Sequence, residues 1–251
     1  MALLLAFLPT LLVTLALTLV EAWRSRGAPG SQHPDWSLNL QIWAVDVAIA
    51  LLILPMVQGW SGGALLDGAR MPFWLGFAVF LLAMDLGEYA FHWAQHRIPV
   101  LWAMHSLHHS DPDMAALTTQ RHFWGDQLLK KVSIWSAALV LIRPTGAIYA
   151  AYGIASLWNI FTHSNLRVNF GRWSWIINAP ALHRRHHSRL PEHYGSNFAG
   201  LFPIFDVLFG TYRRPDGFPP TGLAKRPRNL AQVLIWPFIW NRVPPAVPAP
   251  E

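Results

Sequence analysis

The sequence contains no cysteine. Disulfides, a thiolate-ligated haem and a Cys-held iron–sulfur cluster are therefore excluded, and any metal in this protein is held by nitrogen or oxygen ligands. Charge is scarce as well: Asp, Glu, Lys and Arg make up 13% of the 251 residues, while 53% are hydrophobic. That is a poor balance for a surface facing water on every side. Acid is the scarcer sign, 13 residues against 19 Lys and Arg, leaving a formal charge of +6. The basic residues flank apolar runs, where they set topology and meet anionic head groups, so no nucleic-acid partner is inferred. No G-x-G-x-x-G fingerprint, flavin signature, cytochrome domain or transporter-like internal repeat is recognisable, so redox chemistry would draw its electrons from another protein.

What is present begins with apolar runs. Residues 2–20 carry no charge, enough chain to cross a hydrocarbon core of roughly 30 Å. No basic segment precedes them and no small-x-small site closes them, so a membrane span is preferred to a cleaved signal. A polar Pro/Gly linker (21–38) follows, then a second span from about Leu40 to Val57 whose one acid, Asp46, reads as structural. A Gly-rich loop leads to a third span near Pro72–Ala90. Residues 91–128 are too polar to cross; 129–163 give two apolar pieces broken at Pro144-Thr145-Gly146, a helical hairpin entering from one side. The remainder, 164–251, is basic and loop-rich and ends in an aromatic patch (234–240) expected at the membrane interface and a Pro-rich tail. Arg24 and Arg26 follow the first span, Arg70 the second, and all other Lys and Arg lie beyond the third. The positive-inside rule then places the N-terminus outside and everything after the third span in the cytoplasm. The expected fold is all-α: a multi-span transmembrane helical bundle with a cytoplasmic, helical, His-rich, metal-binding cap. Residues 1–75 form the N-terminal spans and linker, 76–215 the metal domain and 216–251 an interfacial tail.

Of 12 histidines, 11 fall between His92 and His193, with His33 alone outside. His92 and His96 form an H-x3-H; His105, His108 and His109, and again His183, His186 and His187, form two H-x2-H-H clusters. Residues three and four apart share a helix face, so each cluster can aim its imidazoles at one region. Eight such residues exceed what one zinc needs, and a pair of metal ions is the economical count. His163 is a ninth candidate, and His122 and His193 are further ligand or outer-partner candidates. Asp85 and Glu88 lie on the same helical stripe as His92 and His96 and are expected as carboxylates behind the ligands. A zinc hydrolase of the H-E-x-x-H kind fails because Trp93, not Glu, follows His92. A metal-binding or transport protein without oxidative chemistry would line a path across the bilayer, whereas these histidines gather at and beyond one end of the spans.

With these motifs in hand, the chain resembles the fatty acid hydroxylase/sterol desaturase superfamily over about residues 80–215. The stretch MDLGEYAFHWAQHRIPVLWAMHSLHHSDPDMAALTTQR resembles the family's first two boxes. ALHRRHHS followed by FDVLFGTY resembles its third box and closing segment. The resemblance implies a membrane oxygenase that hydroxylates or desaturates an unactivated C–H bond of a lipid with O₂. It also implies two iron ions (zinc being a substitute in preparations) held by His92, His96, His105, His108, His109, His163, His183, His186 and His187. Many members place a His two residues after the Arg matching Arg121, where this chain has Phe123 after His122; some carry another where this chain has Arg167. The implied electron donor is a ferredoxin or a cytochrome b5-like protein with its reductase. Arg184, Arg185, Arg189, Arg213 and Arg214 are the candidates for steering it.

Overall fold

A computed structural model describes residues 2–25, 35–58 and 64–239; His33, Arg26 and the Pro-rich tail lie outside the described residues. Among them the chain is helical, with no strand beyond isolated bridges. Helix α1 (Ala2–Ser25) carries no charge before Glu21, and α2 (Trp36–Gln58) holds the second apolar run. α3 (Phe73–Arg97) is longer than the expected third span, because it continues past Ala90 through His92 and His96. Among the described residues, two helical windows, Trp36–Ile53 and Phe73–Arg97, are long and apolar enough to cross a membrane.

Proline decides where the next helices start. Pro99 disfavours helical backbone at the residue before it, and Ile98 is extended at φ −95°, ψ 118°. α3 therefore ends at Arg97, and α4 (Pro99–His109) begins with Pro99 at its first position, where a missing N–H costs nothing. The hairpin descends as α5 (Trp124–Lys130), a π-helical turn (Lys131–Trp135) and α6 (Ser136–Leu141), and returns as α7 (Gly146–His163). Its tip is fastened to the loop before α3: Leu65 and Leu66 donate N–H to the carbonyls of Val140 and Leu141 (both 2.9 Å), and Arg143 donates back to Leu66 (3.0 Å). That loop lies at the end of α3 opposite His96. The hairpin thus runs the length of α3, roughly 37 Å at 1.5 Å per residue, and brings His163 back to the histidine end. Phe80, Leu81 and Met84 of α3 meet Ile142, Ile148 and Ala151 in the core between them.

Past the hairpin come α8 (Pro180–His186), α9 (Ile204–Leu208), α10 (Leu230–Leu234) and α11 (Trp236–Ile239). The aromatic patch divides instead of lying wholly at an interface. Trp236 is 1% exposed, packs with Leu38, Ile42 and Leu107, and donates its indole N–H to Ser106 (3.0 Å), whereas Phe238 is 80% exposed. A buried polar network fixes α2 to the end of α4: Asn39 donates to Asp111 (3.0 Å), Thr118 donates to Asp111 (2.7 Å), and Arg121 donates to Asn39 (2.8 Å) and Ser110 (3.0 Å). Glu21 ties α1 to the same region by accepting the N–H groups of Ala116 (3.0 Å) and Asn165 (2.5 Å).

Gly68 sits where the loop touches the hairpin tip: a Cβ there would lie 2.5 Å from the Arg143 carbonyl oxygen, whereas one at Gly146 would meet nothing within 4 Å. Gly68→Val is expected to lower the thermal unfolding midpoint of the detergent-purified protein by the equivalent of about 1–3 kcal/mol, the usual cost of overpacking. Gly146→Ala should leave it unchanged or raise it; equal midpoints for the two variants would contradict the tip contact.

Candidate metal centre

Four helix ends converge on the histidines: the last turns of α3, α4 and α7, and α8 with its C-cap His187. All nine residues of the three boxes plus His163 are brought together, and they separate into two groups. His92, His96, His105, His109 and His186 form one; His108, His163, His183 and His187 form the other, and within each group one potential ligand atom per residue lies within 4.8 Å of the rest. Helix geometry explains the split. Four residues advance a helix about 40° past a full turn, and three fall about 60° short. In each H-x2-H-H box the pair four apart therefore stays together and the residue between leaves for the other group. His105 and His109 go with the first group and His108 with the second; His183 and His187 go with the second and His186 with the first.

Ring nitrogens reveal what the groups lack. Three rings donate Nδ1–H to backbone carbonyls: His92 to Phe198 (2.8 Å), His186 to Ser196 (2.8 Å) and His163 to Asn159 (2.7 Å). This fixes the tautomer and turns Nε2 inward. The buried inward nitrogens of His92, His105, His109, His186 and His187, and both of His96, have no protein partner. In the second group, His163 Nε2 lies 3.0 Å from Nε2 of both His108 and His183. Three converging nitrogens can share hydrogen bonds only if one ring carries its proton inward, and the Asn159 bond places the His163 proton on the far side. Separations of roughly 2.9–3.4 Å are what ligands about 2.0–2.1 Å from one cation would show. The donor set fits two divalent metals held by imidazole.

Asp126 is the carboxylate missing from the sequence reading. It lies 3.5 Å from His105 Nδ1 and 3.4 Å from His122 Nδ1, and accepts a 2.5 Å hydrogen bond from Gln95. In the sequence it is one acid of the polar 91–128 stretch, with no spacing to the histidine boxes that marks it. The expected carboxylates sit elsewhere: Asp85 accepts the N–H groups of Leu201 (2.9 Å) and Phe202 (2.8 Å), and Glu88 pairs with Lys130 (2.5 Å). Neither appears among the His–carboxylate contacts of the described residues. His122 joins Asp126 and stacks on His108 (4.3 Å between centroids) but belongs to neither group; His193 faces Asp216 (3.4 Å). Two of the five steering arginines are also corrected. Arg184 and Arg185 are each 8% exposed, the first donating to the Pro219 carbonyl and the second paired with Asp216, whereas Arg189, Arg213 and Arg214 stand in solvent.

The sequence model of the family described as fatty acid hydroxylase matches residues 77–211. Among curated relatives, the alkylglycerol monooxygenase of Xenopus tropicalis is 28% identical over 244 residues, covering 91% of this chain and 53% of the relative. That of Homo sapiens is 26% identical, covering 92% and 54%. The ornithine lipid hydroxylase OlsE of Rhizobium tropici is 29% identical over 136 residues, covering 54% and 41%. The chain thus spans about half the length, or less, of these relatives. No solved structure matches it.

Electrostatics favours the neutral imidazoles that metal binding needs. Burial, reinforced by neighbouring rings, pushes His108, His109, His183 and His187 well below the ordinary histidine value. Burial also lowers His186 to about 3, against the opposing effect of its bond to Ser196. Between about pH 6.5 and pH 3 the unfolded chain binds protons at these histidines that the folded chain refuses, so stability rises with pH across that window. The metal-free protein should accordingly lose thermal stability on acidification below about pH 6.5. A midpoint flat from pH 7 to pH 4 would contradict the buried neutral cluster.

Proposed function

The chain belongs to the fatty acid hydroxylase family, and from that premise we propose that it is a membrane-bound di-iron oxygenase that hydroxylates an unactivated C–H bond of a lipid. One observation carries the reading: nine imidazoles converge in two groups with most of their inward nitrogens unpaired, inside the region matched by that family. Neutral imidazole also suits zinc, copper and nickel, so iron rests on the family and on the reaction. Relatives named as a monooxygenase of alkylglycerols and a hydroxylase of ornithine lipids favour hydroxylation and a lipid substrate. Gathering of the nine at one end of α3, away from the hairpin tip, disfavours a transport path across a bilayer.

When bound, iron supplies the activation of O₂ needed to break such a C–H bond. One oxygen atom enters the C–H bond and the other leaves as water, so an electron pair and protons must arrive from outside the chain. The chain's own residues hold and shield. The carbonyls of Phe198, Ser196 and Asn159 keep three imidazoles aimed inward. The Trp102 and Phe198 rings lie 4.9 Å and 5.2 Å from the His96 ring and exclude water from that side.

In this reading α1, α2, α3 and the hairpin span the bilayer, the N-terminus lies outside, and the histidine end faces the cytoplasm. A lipid tail enters sideways from the membrane. An acidic ferredoxin or a cytochrome b5-like donor docks where Arg189, Arg213 and Arg214 are exposed.

The test combines metal analysis of protein purified from iron-supplied cells with lipid profiling under ¹⁸O₂. Expected are a pair of irons per chain and a hydroxylated lipid carrying ¹⁸O that appears only with the protein. His186→Ala should reduce that lipid by more than the roughly 10–100-fold typical of losing an outer partner. Iron-free protein, or a product without ¹⁸O, would sink the proposal.

A further inference from the structure

The two histidine groups differ in what stands behind them. Rings in both are held by neutral backbone carbonyls: His92 and His186 in the five-residue group, His163 in the four-residue group. Among the described residues, Asp126 is the one carboxylate within 4.0 Å of a ring nitrogen of any of the nine, and the ring it faces, His105, belongs to the five-residue group. Asp126 is 2% exposed, and water screens its charge little. The separation of 3.5 Å is long for a charge-assisted hydrogen bond, so the contact acts first through charge. His105 Nε2, on the other side of the ring, is buried and unpaired.

An anion behind an imidazole raises the basicity of the ligating nitrogen and offsets part of a divalent cation's charge. The four-residue group has no such partner. His122 turns its own Nδ1 to the same carboxylate and only rests its ring face against His108. We propose that Asp126 makes the two metal positions inequivalent: acting through His105 as a positioning residue, it renders the five-histidine position the tight one and leaves the four-histidine position exchangeable. This rests on the two-metal reading above. The consequence is an order of filling and loss, with a half-loaded protein that keeps its metal beside His105.

Zinc alone serves as the probe, since it is redox-inert and suits imidazole. Full-length protein in detergent is loaded with zinc, and the zinc retained per chain is measured against rising chelator concentration. Wild type is expected to release zinc in two steps; His183→Ala should abolish the early step and His96→Ala the late one. Asp126→Asn preserves shape, and Gln95 can rotate its amide to suit. It should move the late step about 10–100-fold toward the early one without moving the early step. Gln95→Ala, which keeps the charge, should leave both in place. If the asparagine variant fails to fold, Asp126→Glu takes over the test, with both steps expected to persist in order. Both steps shifting together in Asp126→Asn would mean a merely structural role; no shift, or an early step abolished by His96→Ala, would overturn the proposal equally. Wild type that binds no zinc would remove the two-metal reading itself, whereas two ordered steps indifferent to Asp126→Asn would remove only this inference.

Discussion

Nine imidazoles packed ring against ring leave most of their inward nitrogens unpaired, in a place water does not reach. Each such group costs about 1–3 kcal/mol if nothing answers it. Where His163 meets His108 and His183, its Nε2 can accept only one hydrogen bond, so three nitrogens converging at 3.0 Å are not all satisfied by one another. A chain would not hold this arrangement by side-chain packing alone, and the surrounding structure consists largely of fasteners. Asp85 clamps α3 to the turn at Leu201–Phe202; the Asn39–Asp111–Thr118–Arg121 network locks the end of α4 to α2; Glu21 anchors α1 beside Ala116 and Asn165. Each fastener is a buried polar group with identified partners, in contrast to the unpaired nitrogens at the centre. That contrast is what cations shared between the rings would remove.

The closing segment has a mechanical part in this. Asp206 accepts the N–H groups of Phe198 (2.7 Å) and Ala199 (3.0 Å) and the Thr211 hydroxyl (2.7 Å), and the Tyr89 hydroxyl of α3 reaches Thr211 (3.0 Å). Asn197 adopts φ 60°, a left-handed conformation that asparagine tolerates, and exchanges hydrogen bonds with the backbone of Arg213. These contacts place the 196–199 segment so that its Ser196 and Phe198 carbonyls meet His186 and His92. The FDVLFGTY motif contains no histidine, yet it sets the orientation of two of them. Its pairing with ALHRRHHS in the sequence has a physical reason here.

Local rules made part of this legible. The 3.6-residue period was enough to see that each box faces one region, and Pro99 and Pro180 mark where helices restart. The crossing of the two H-x2-H-H boxes between groups was not seen, because it depends on how α4 and α8 face each other. Asp85 and Glu88 misled for a related reason: a stripe along a long helix passes different neighbours at each turn. One acid therefore meets the 201–202 turn and the other meets Lys130. Asp126 is not legible in the sequence because it lies 21 residues from His105 and 31 from Gln95, in a contact that only the packing of α5 against α4 creates. Trp236 has the composition of an interface residue, but its neighbour Ser106 can accept the indole N–H, so burial leaves nothing unpaired.

The hairpin illustrates how the scarcity of charge is managed. Two of the few acids, Asp46 and Glu88, sit in long apolar helices, and an acid there alone would be costly. Both meet a lysine from the same short stretch: Lys131 reaches Asp46 at 2.6 Å and Lys130 reaches Glu88 at 2.5 Å. Consecutive residues on a helix diverge by about 100°, so one helical segment placed between α2 and α3 can serve both. Each pair is neutral, so the hairpin adds polar grip without net charge and can lie beside α3 for its full length. Asp46, as expected a structural acid, and Glu88 are then the means by which α5 is held over the histidines, and α5 is the helix that carries Asp126.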